Sequence, residues 1–348
     1  MNGRTSLSTR SSTCIGPGAG PRTGPRALAG TGPAVASHDG LATGSATLAG
    51  VRGRLADLLE LTKPRITLLV GITALVGFKL GATTMGGQVV TAAGVAHGAG
   101  LLVSALTGIL LVAAGASALN QVMERDVDGL MRRTASRPLP AGRLGVETAR
   151  VFGIGLTAVG LALLAWQVNA LTTILAAATV ASYLLVYTPL KRRSPLCTLV
   201  GAVPGALPPV LGWAAARGAL DWGAAALFAI LFIWQLPHFL AIGWLYREDY
   251  ARGGMPMLPV IDPDGHLTAR HIAVTSASLL PVSLAPTLLG LTGMLYFGGA
   301  VVLGLVTLGL GLALARSRSK PDARRLFLAS IAYLPVLLLL MMVDRLAV

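Results

Sequence analysis

From about residue 66 onward the chain alternates long apolar runs with short polar stretches. A membrane-crossing helix needs about 20 mainly apolar residues. Nine segments meet that length: 66–82, 99–120, 147–167, 170–189, 196–216, 223–245, 270–290, 292–314 and 325–343. The pattern predicts an all-α integral membrane protein with nine transmembrane helices. Prolines interrupt three of them: Pro204, Pro208 and Pro209 in the fifth, Pro237 in the sixth, Pro281 and Pro286 in the seventh. Such breaks need packing, side chains or cavity water to satisfy the freed backbone groups. No repeat period is visible.

Ahead of the first span, VRGRLADLLELTKPRIT puts Leu55, Leu58, Leu59 and Leu61 on one face, the pattern of a short interfacial helix. Pro64 suits the first turn of the helix that follows. Residues 1–50 are rich in Gly, Ala, Ser, Thr and Pro and cannot bury a core. They are expected to form a disordered cytosolic tail, leaving 51–348 as the membrane domain. The tail also holds Arg4, Arg10, Arg22 and Arg26 with few acids, the composition of a mitochondrial transit peptide, but its Pro and Gly density opposes the amphipathic helix such a peptide needs. The expected location is therefore a bacterial plasma membrane, with the mitochondrial inner membrane as the alternative.

Charge sharpens this picture. Only 12% of the 348 residues are charged, about half the usual share in soluble domains, and the formal net charge is +14. Arg132–Arg133, Lys191–Arg193, Arg247 with Arg252, and Arg316 through Arg325 fall in the loops after even-numbered spans. The other loops carry almost no charge, apart from Arg217 and Asp221. This alternation predicts a cytosolic N-terminus and an outside C-terminus, and it accounts for the basic excess without nucleic acid. Cys14 and Cys197 form neither a disulfide framework nor a metal motif.

The chemistry-bearing stretch is NQVMERDVDGLMRRTASRPLPAGR, from Asn120 to Arg143, at the end of an uncharged run. On a helix Asn120, Glu124 and Asp128 share one face, while Asp126 points away. Two carboxylates and an amide offer oxygen ligands to a hard cation such as magnesium, and nearby guanidinium groups suit phosphate oxygens. The same residues also fit plain salt bridges and a polar helix cap. A second cluster, WLYREDYARGGMPMLP, holds Arg247, Glu248, Asp249 and Arg252. A third, YTPLKRRS, places Tyr187 and Lys191 at i and i+4, although Pro189 argues against a regular helix there. Lys63 and Arg65 read either as a membrane-surface anchor or as anion binders. His238, beside Pro237, is either a packed polar group or a ligand or acid–base residue.

These motifs carry a resemblance. NQVMERDVDGLMRRT resembles the first acidic motif of the UbiA superfamily of intramembrane prenyltransferases. LTKPRIT, SRPLPAGR, YTPLKRRS, GAVPGALPPVLGW, WQLPHFLAIGW and REDYARGGMPMLP resemble its haem-farnesylating branch, over about residues 55–345. The resemblance implies nine helices around a central cavity, an active site at the cytosolic side, magnesium as cofactor, farnesyl diphosphate as donor and haem b as acceptor. It makes Asn120, Glu124, Asp128, Lys191 and Asp249 the catalytic set, with Glu124, Asp128 and Asp249 as metal ligands. Lys63, Arg65, Arg125, Arg133, Arg137, Arg143, Tyr187, Arg192, His238 and Arg247 become substrate-binding candidates. Beyond the lipid bilayer, the implied partners are a downstream haem-modifying enzyme or a terminal oxidase assembly.

Three positions depart from the superfamily pattern. Glu124 stands where Asp is common, Gly253 where a second acid of the second motif is expected, and Cys197 where Asn is expected. Two other functions share parts of the pattern: a UbiA-type enzyme with an aromatic acceptor, and a transporter using the acids to bind a cation. A transporter would favour ionisable groups at mid-membrane, whereas these gather at span ends.

Overall fold

The computed structural model describes residues 52–85, 88–91, 94–96 and 98–345. The tail expected over 1–50 lies outside them. Among the described residues nine helices are long and apolar enough to cross a membrane: α2 (Pro64–Gly81), α3 (Gly98–Asp128), α4 (Val146–Gln167), the continuous Ala170–Leu190 segment, α7 (Cys197–Arg217), α8 (Trp222–Leu245), α11 (His266–Leu288), α12 (Met294–Ser317) and α13 (Lys320–Val343). Short helices complete the count: α1 (52–61), α9 (Arg247–Arg252) and α10 (Leu258–Ile261). The protein is a multi-pass membrane protein.

Two expectations change in detail. The second span continues to Asp128 as one helix of 31 residues, well past the apolar run that ends near 119. The fourth span is not uniform: α5 (Ala170–Ala181) gives way to a π-helical turn, Ser182–Tyr187, and then to the one-turn α6 (Thr188–Leu190). Pro189 lies in α6 directly after the π-turn, and the helical segment continues through it to Leu190. The loop between α2 and α3 holds a three-stranded antiparallel meander in order β1 (Thr83–Met85), β2 (Gln88–Thr91), β3 (Gly94–Ala96). Thr84 pairs with Val89, and Val90 with Val95.

Local signals explain the helix ends. Asp221 caps α8 by accepting from the Gly223 and Ala224 amides at 2.9 and 3.3 Å. Asn169 caps α5 through Thr172 N at 2.8 Å. Within lipid, helices associate by close packing, which small residues permit. A Cβ on Gly77 would collide with the Pro209 carbonyl, and one on Gly212 with the Ala74 carbonyl, so α2 and α7 meet backbone to backbone. Gly108 with Gly160, and Gly115 with Gly153, do the same for α3 and α4. The three prolines of α7 leave it one continuous helix, buried along most of its length.

The polar loops gather at one end of the bundle. Arg318 donates to the Asp264 carbonyl at 2.8 Å, Lys320 to Glu248 at 2.9 Å, and Arg143 to Asp57 and Glu60, both at 2.9 Å. The opposite end is closed by Arg345, which donates to the Ala82 carbonyl at 2.7 Å, and by Asp344, which accepts from Tyr296 N at 2.7 Å.

Candidate active site

The overrun of α3 builds the first wall of the site. Asn120, Glu124 and Asp128 are 1%, 3% and 1% exposed. Buried carboxylates need partners, and each has a cation. Lys191 donates to both Glu124 oxygens, at 2.8 and 3.2 Å. Arg137 meets Asp128 Oδ2 at 2.6 Å. Lys63 donates to Asn120 Oδ1 at 3.0 Å, while the Asn120 amide donates to Thr188 Oγ1 at 3.1 Å. Asp126 faces away, as the helical projection requires, and pairs only with the neighbouring Arg125.

The chain turns sharply to deliver these cations. Lys63 sits in the left-handed region at φ 50°, directly before Pro64. Burial pushes its ammonium down to about 7, and the nearby cations Arg137 and Lys191 push the same way against Glu124 and Asp128. For Lys191 burial also acts downward, but Tyr187, Glu124 and Tyr183 outweigh it and hold the ammonium well above its ordinary range. Lys191 lies over the Tyr187 ring, 5.0 Å from its centroid, and Tyr187 stacks on Tyr183 at 5.6 Å. Tyr183, Tyr187 and Lys191 thus form a ladder along the π-turn and α6.

The second motif docks beside the first. Gly253 packs so closely that a Cβ would lie 3.2 Å from Met131 Cγ and Sδ and from Val127 Cγ1. Val127, Met131, Cys197, Met255 and Met257 share one buried cluster, and Cys197 Sγ lies 3.4 Å from Met257 Sδ. The Cys197 thiol suits this apolar contact. Asp249, however, pairs with Arg252, and Glu248 with Lys320. Among the described residues no three of His, Cys, Asp and Glu converge as a metal-holding group. Glu124 and Asp128 come together on one face; Asp249 is not brought into a cluster with them.

The arginines separate into distinct roles. Among the arginines of the described residues, Arg137 alone pairs with Glu124 or Asp128. Arg143 clamps α1 through Asp57 and Glu60 and also donates to the Ser136 carbonyl at 2.7 Å. Arg133 stacks over Tyr246 and Tyr250 at 5.6 and 6.0 Å, and Arg247 over Trp244 at 5.4 Å. Arg192 donates to the Met123 carbonyl at 3.3 Å, and Arg125 and Arg65 are exposed. His238 lies within α8, held by Ser330. Thr188, Thr134 and Tyr183 support the site and escape the motif reading. Thr134 donates to the Asp128 carbonyl at 2.8 Å, and Thr188 to the Tyr183 carbonyl at 2.8 Å. Their only sequence signal is position, one beside Tyr187 and the other within the arginine run.

A mainly apolar cleft of about 390 Å³ opens between α2, α3 and α4, lined by Thr62, Pro64, Thr67, Leu110 and Phe152 among others. It touches the flanks of Lys63 but none of the carboxylates, so the charged cluster, not this cleft, marks the chemistry. Two carboxylates, an amide and three cations in a buried patch can hold a metal ion and a multiply charged anion together.

Residues 80–334 match the UbiA prenyltransferase family. The chain is similar to proteins called protoheme IX farnesyltransferase: 47% identical to that of Koribacter versatilis over 303 residues, 85% of this chain and 95% of the relative. The corresponding protein of Solibacter usitatus is 46% identical over 291 residues, 84% and 99% of the two chains. Among solved structures it resembles a digeranylgeranylglyceryl phosphate synthase, with TM-score 0.68 at 16% identity, covering 83% of this chain and 98% of that one. It also resembles a UbiA homologue from Archaeoglobus fulgidus bound to GPP and Mg2+, with TM-score 0.53 at 18% identity, covering 82% and 99%. At these identities the structural likeness is one of fold.

Proposed function

This chain belongs to the UbiA prenyltransferase family, and on that footing we propose that it transfers the farnesyl group of farnesyl diphosphate to a vinyl group of haem b, with addition of water, giving haem O and diphosphate. The relatives' shared name supports the donor and the acceptor. The observation that carries the reading is the pairing of Asn120, Glu124 and Asp128 with Lys63, Lys191 and Arg137.

The oxygen donors of Glu124 and Asp128 fit magnesium, which binds through one or two carboxylates and completes its shell with substrate phosphate. Magnesium, when bound, neutralises diphosphate charge; Glu124 and Asp128 would hold it, with Asp249 joining only by leaving Arg252. The binding of magnesium with a prenyl diphosphate by the Archaeoglobus homologue supports this cofactor. Lys191, Arg137 and Lys63 bind the diphosphate oxygens and stabilise the negative charge that grows as the allylic C–O bond breaks. The bond's electron pair leaves with diphosphate. The vinyl π electrons form the new C–C bond, water captures the resulting haem-side cation, and the water's surplus proton returns to solvent. Apolar side chains of the surrounding helices keep other water from the farnesyl cation.

Arg143 serves this site indirectly, by fixing α1. Arg133 and Arg247, stacked on aromatic rings at the same end, supply cations toward the haem propionates, as does exposed Arg65. The basic loops orient this end to the cytosol of a bacterial plasma membrane, where a haem-modifying enzyme or an oxidase assembly takes the product. Incubation of the purified chain with haem b, farnesyl diphosphate and magnesium, followed by mass spectrometry of extracted haem, tests the function. A gain of farnesyl plus water is expected. Unchanged haem alongside a prenylated aromatic acid would overturn it.

A further inference from the structure

We propose that His238 ligates the haem iron through Nε2 and so positions the acceptor opposite the charged cluster; this rests on the haem-acceptor reading above. The hydrogen bonding around the ring decides which nitrogen is free. His238 Nδ1 lies 2.7 Å from Ser330 Oγ. The Ser330 hydroxyl has a single hydrogen, and it donates that to the Phe327 carbonyl at 2.7 Å. Ser330 Oγ can therefore only accept from the ring, so Nδ1 carries a proton. In the neutral ring the lone pair is on Nε2, which has no hydrogen-bond partner among the described residues. A histidine that donates one N–H and leaves its other nitrogen open has the arrangement of a metal ligand oriented by its surroundings.

The ring is also fixed in orientation. Trp234 stacks on it with centroids 5.1 Å apart and donates its own N–H to the Ser330 carbonyl at 2.8 Å. Phe327 lies 5.3 Å away on α13, and Phe239 meets it edge-on at 5.6 Å. These aromatic surfaces suit the flat apolar face of a porphyrin.

Its direction follows from the helix. At 100° per residue, Leu231, Gln235 and His238 lie within about 60° of one another on α8. Leu231 belongs to the core cluster that includes Val76 and Leu80 of α2 and Val210 of α7. Gln235 abuts Gly205 of α7. His238 therefore faces the inside of the bundle, about 10 Å along the axis from the last residue of α8. That end of α8 runs into α9 and Gly253, which packs on Val127 of α3. Iron ligation at His238 places the porphyrin inside the bundle, with its propionates turned to the basic end.

The test is titration of the purified full-length chain with ferric haem b and with metal-free protoporphyrin IX, read by absorption and electron paramagnetic resonance. The wild type is expected to bind haem b at least tenfold tighter than the metal-free porphyrin, with the spectrum of nitrogen-ligated iron. His238→Ala should lose both the preference and that spectrum, keep its affinity for the metal-free porphyrin, and recover the spectrum on addition of imidazole. Calorimetric binding of farnesyl diphosphate with magnesium checks that the variant is folded. Equal affinity of the wild type for the two porphyrins overturns the assignment even without the variant. Identical haem spectra in wild type and His238→Ala also overturn it, and continued formation of farnesylated haem would then leave the proposed function standing. A wild type that neither binds haem nor alters it overturns both.

Discussion

Arg137 reaches back nine residues to hold Asp128 at 2.6 Å, while the equally basic Arg143, six residues further on, turns to Asp57 and Glu60. One cation therefore belongs to the reacting site and the other to the scaffold.

Asp128→Asn keeps size and removes charge. If Asp128 holds the metal and sets Arg137, haem product should fall by about 100-fold or more in a protein that still inserts and folds. Asp126→Asn should stay close to wild type, because Asp126 is exposed and meets only Arg125. Product per unit of folded protein is the measurement. Equal losses would reject the one-face geometry.

Arg143→Ala and Arg137→Ala should separate in kind. The first frees α1, so amide hydrogen exchange over 52–61 should accelerate while product per folded molecule changes little. The second should leave exchange in α1 unchanged and weaken diphosphate binding. If Arg143→Ala instead abolishes diphosphate binding, its assignment to the scaffold fails.

Diphosphate binding should depend on pH through Lys63. In the free protein its ammonium is lowered to about 7, by burial first and then by Arg137 and Lys191. Below pH 7 it is charged and ready for an anion. Above pH 7 it is neutral, and an anion must draw in a proton to restore the charge. The apparent Kd should therefore rise as pH climbs from 7, approaching about tenfold per unit for one linked proton. Lys63→Met should bind more weakly and lose this slope. Calorimetry in buffers of different ionisation enthalpy reads the proton uptake directly, and a wild type that takes up no proton at pH 8 would contradict the linkage.

Gly253→Asp restores the acid that the superfamily pattern leads one to expect. It should not add activity. The new Cβ meets Met131 and Val127 at 3.2 Å, so the loop or its neighbours must shift, at a cost of about 1–3 kcal/mol. Thermal unfolding should show the loss, and Val127→Ala should recover part of it. Raised activity in Gly253→Asp would show that the second motif lacks only its acid.

The nine spans were readable because each depends only on local composition. The face shared by Asn120, Glu124 and Asp128 was readable too, since helical spacing alone sets it once α3 runs past its apolar part. The fate of the arginines was not. Arg137 and Arg143 look alike in SRPLPAGR, and what divides them is Asp57 and Glu60, more than 80 residues away in sequence. Asp249 is a similar case: its motif is visible, but its commitment to Arg252 is a matter of local geometry. The meander over 83–96 escaped because strands of three and four residues are too short for alternation to stand out. Gly253 looked like a missing acid until its packing showed a position where a side chain would crowd Met131 and Val127.

The π-turn at Ser182–Tyr187 sets the direction in which Lys191 points. A π-turn closes its hydrogen bonds over one residue more than an α-turn, so it works as a built-in single-residue insertion. Everything downstream, Lys191 included, therefore keeps the phase of an α-helix one residue shorter and is rotated relative to an α-helix of the same length. Removing Leu185, an exposed apolar residue with no part in the chemistry, would let the segment relax to α with Lys191 still in phase with Glu124, whereas relaxing to α at full length would swing Lys191 by roughly 100° away from Glu124. The angular phase of the lysine thus depends on the π-turn absorbing one residue, and straightening that turn at full length would disarm the site with every polar group still present.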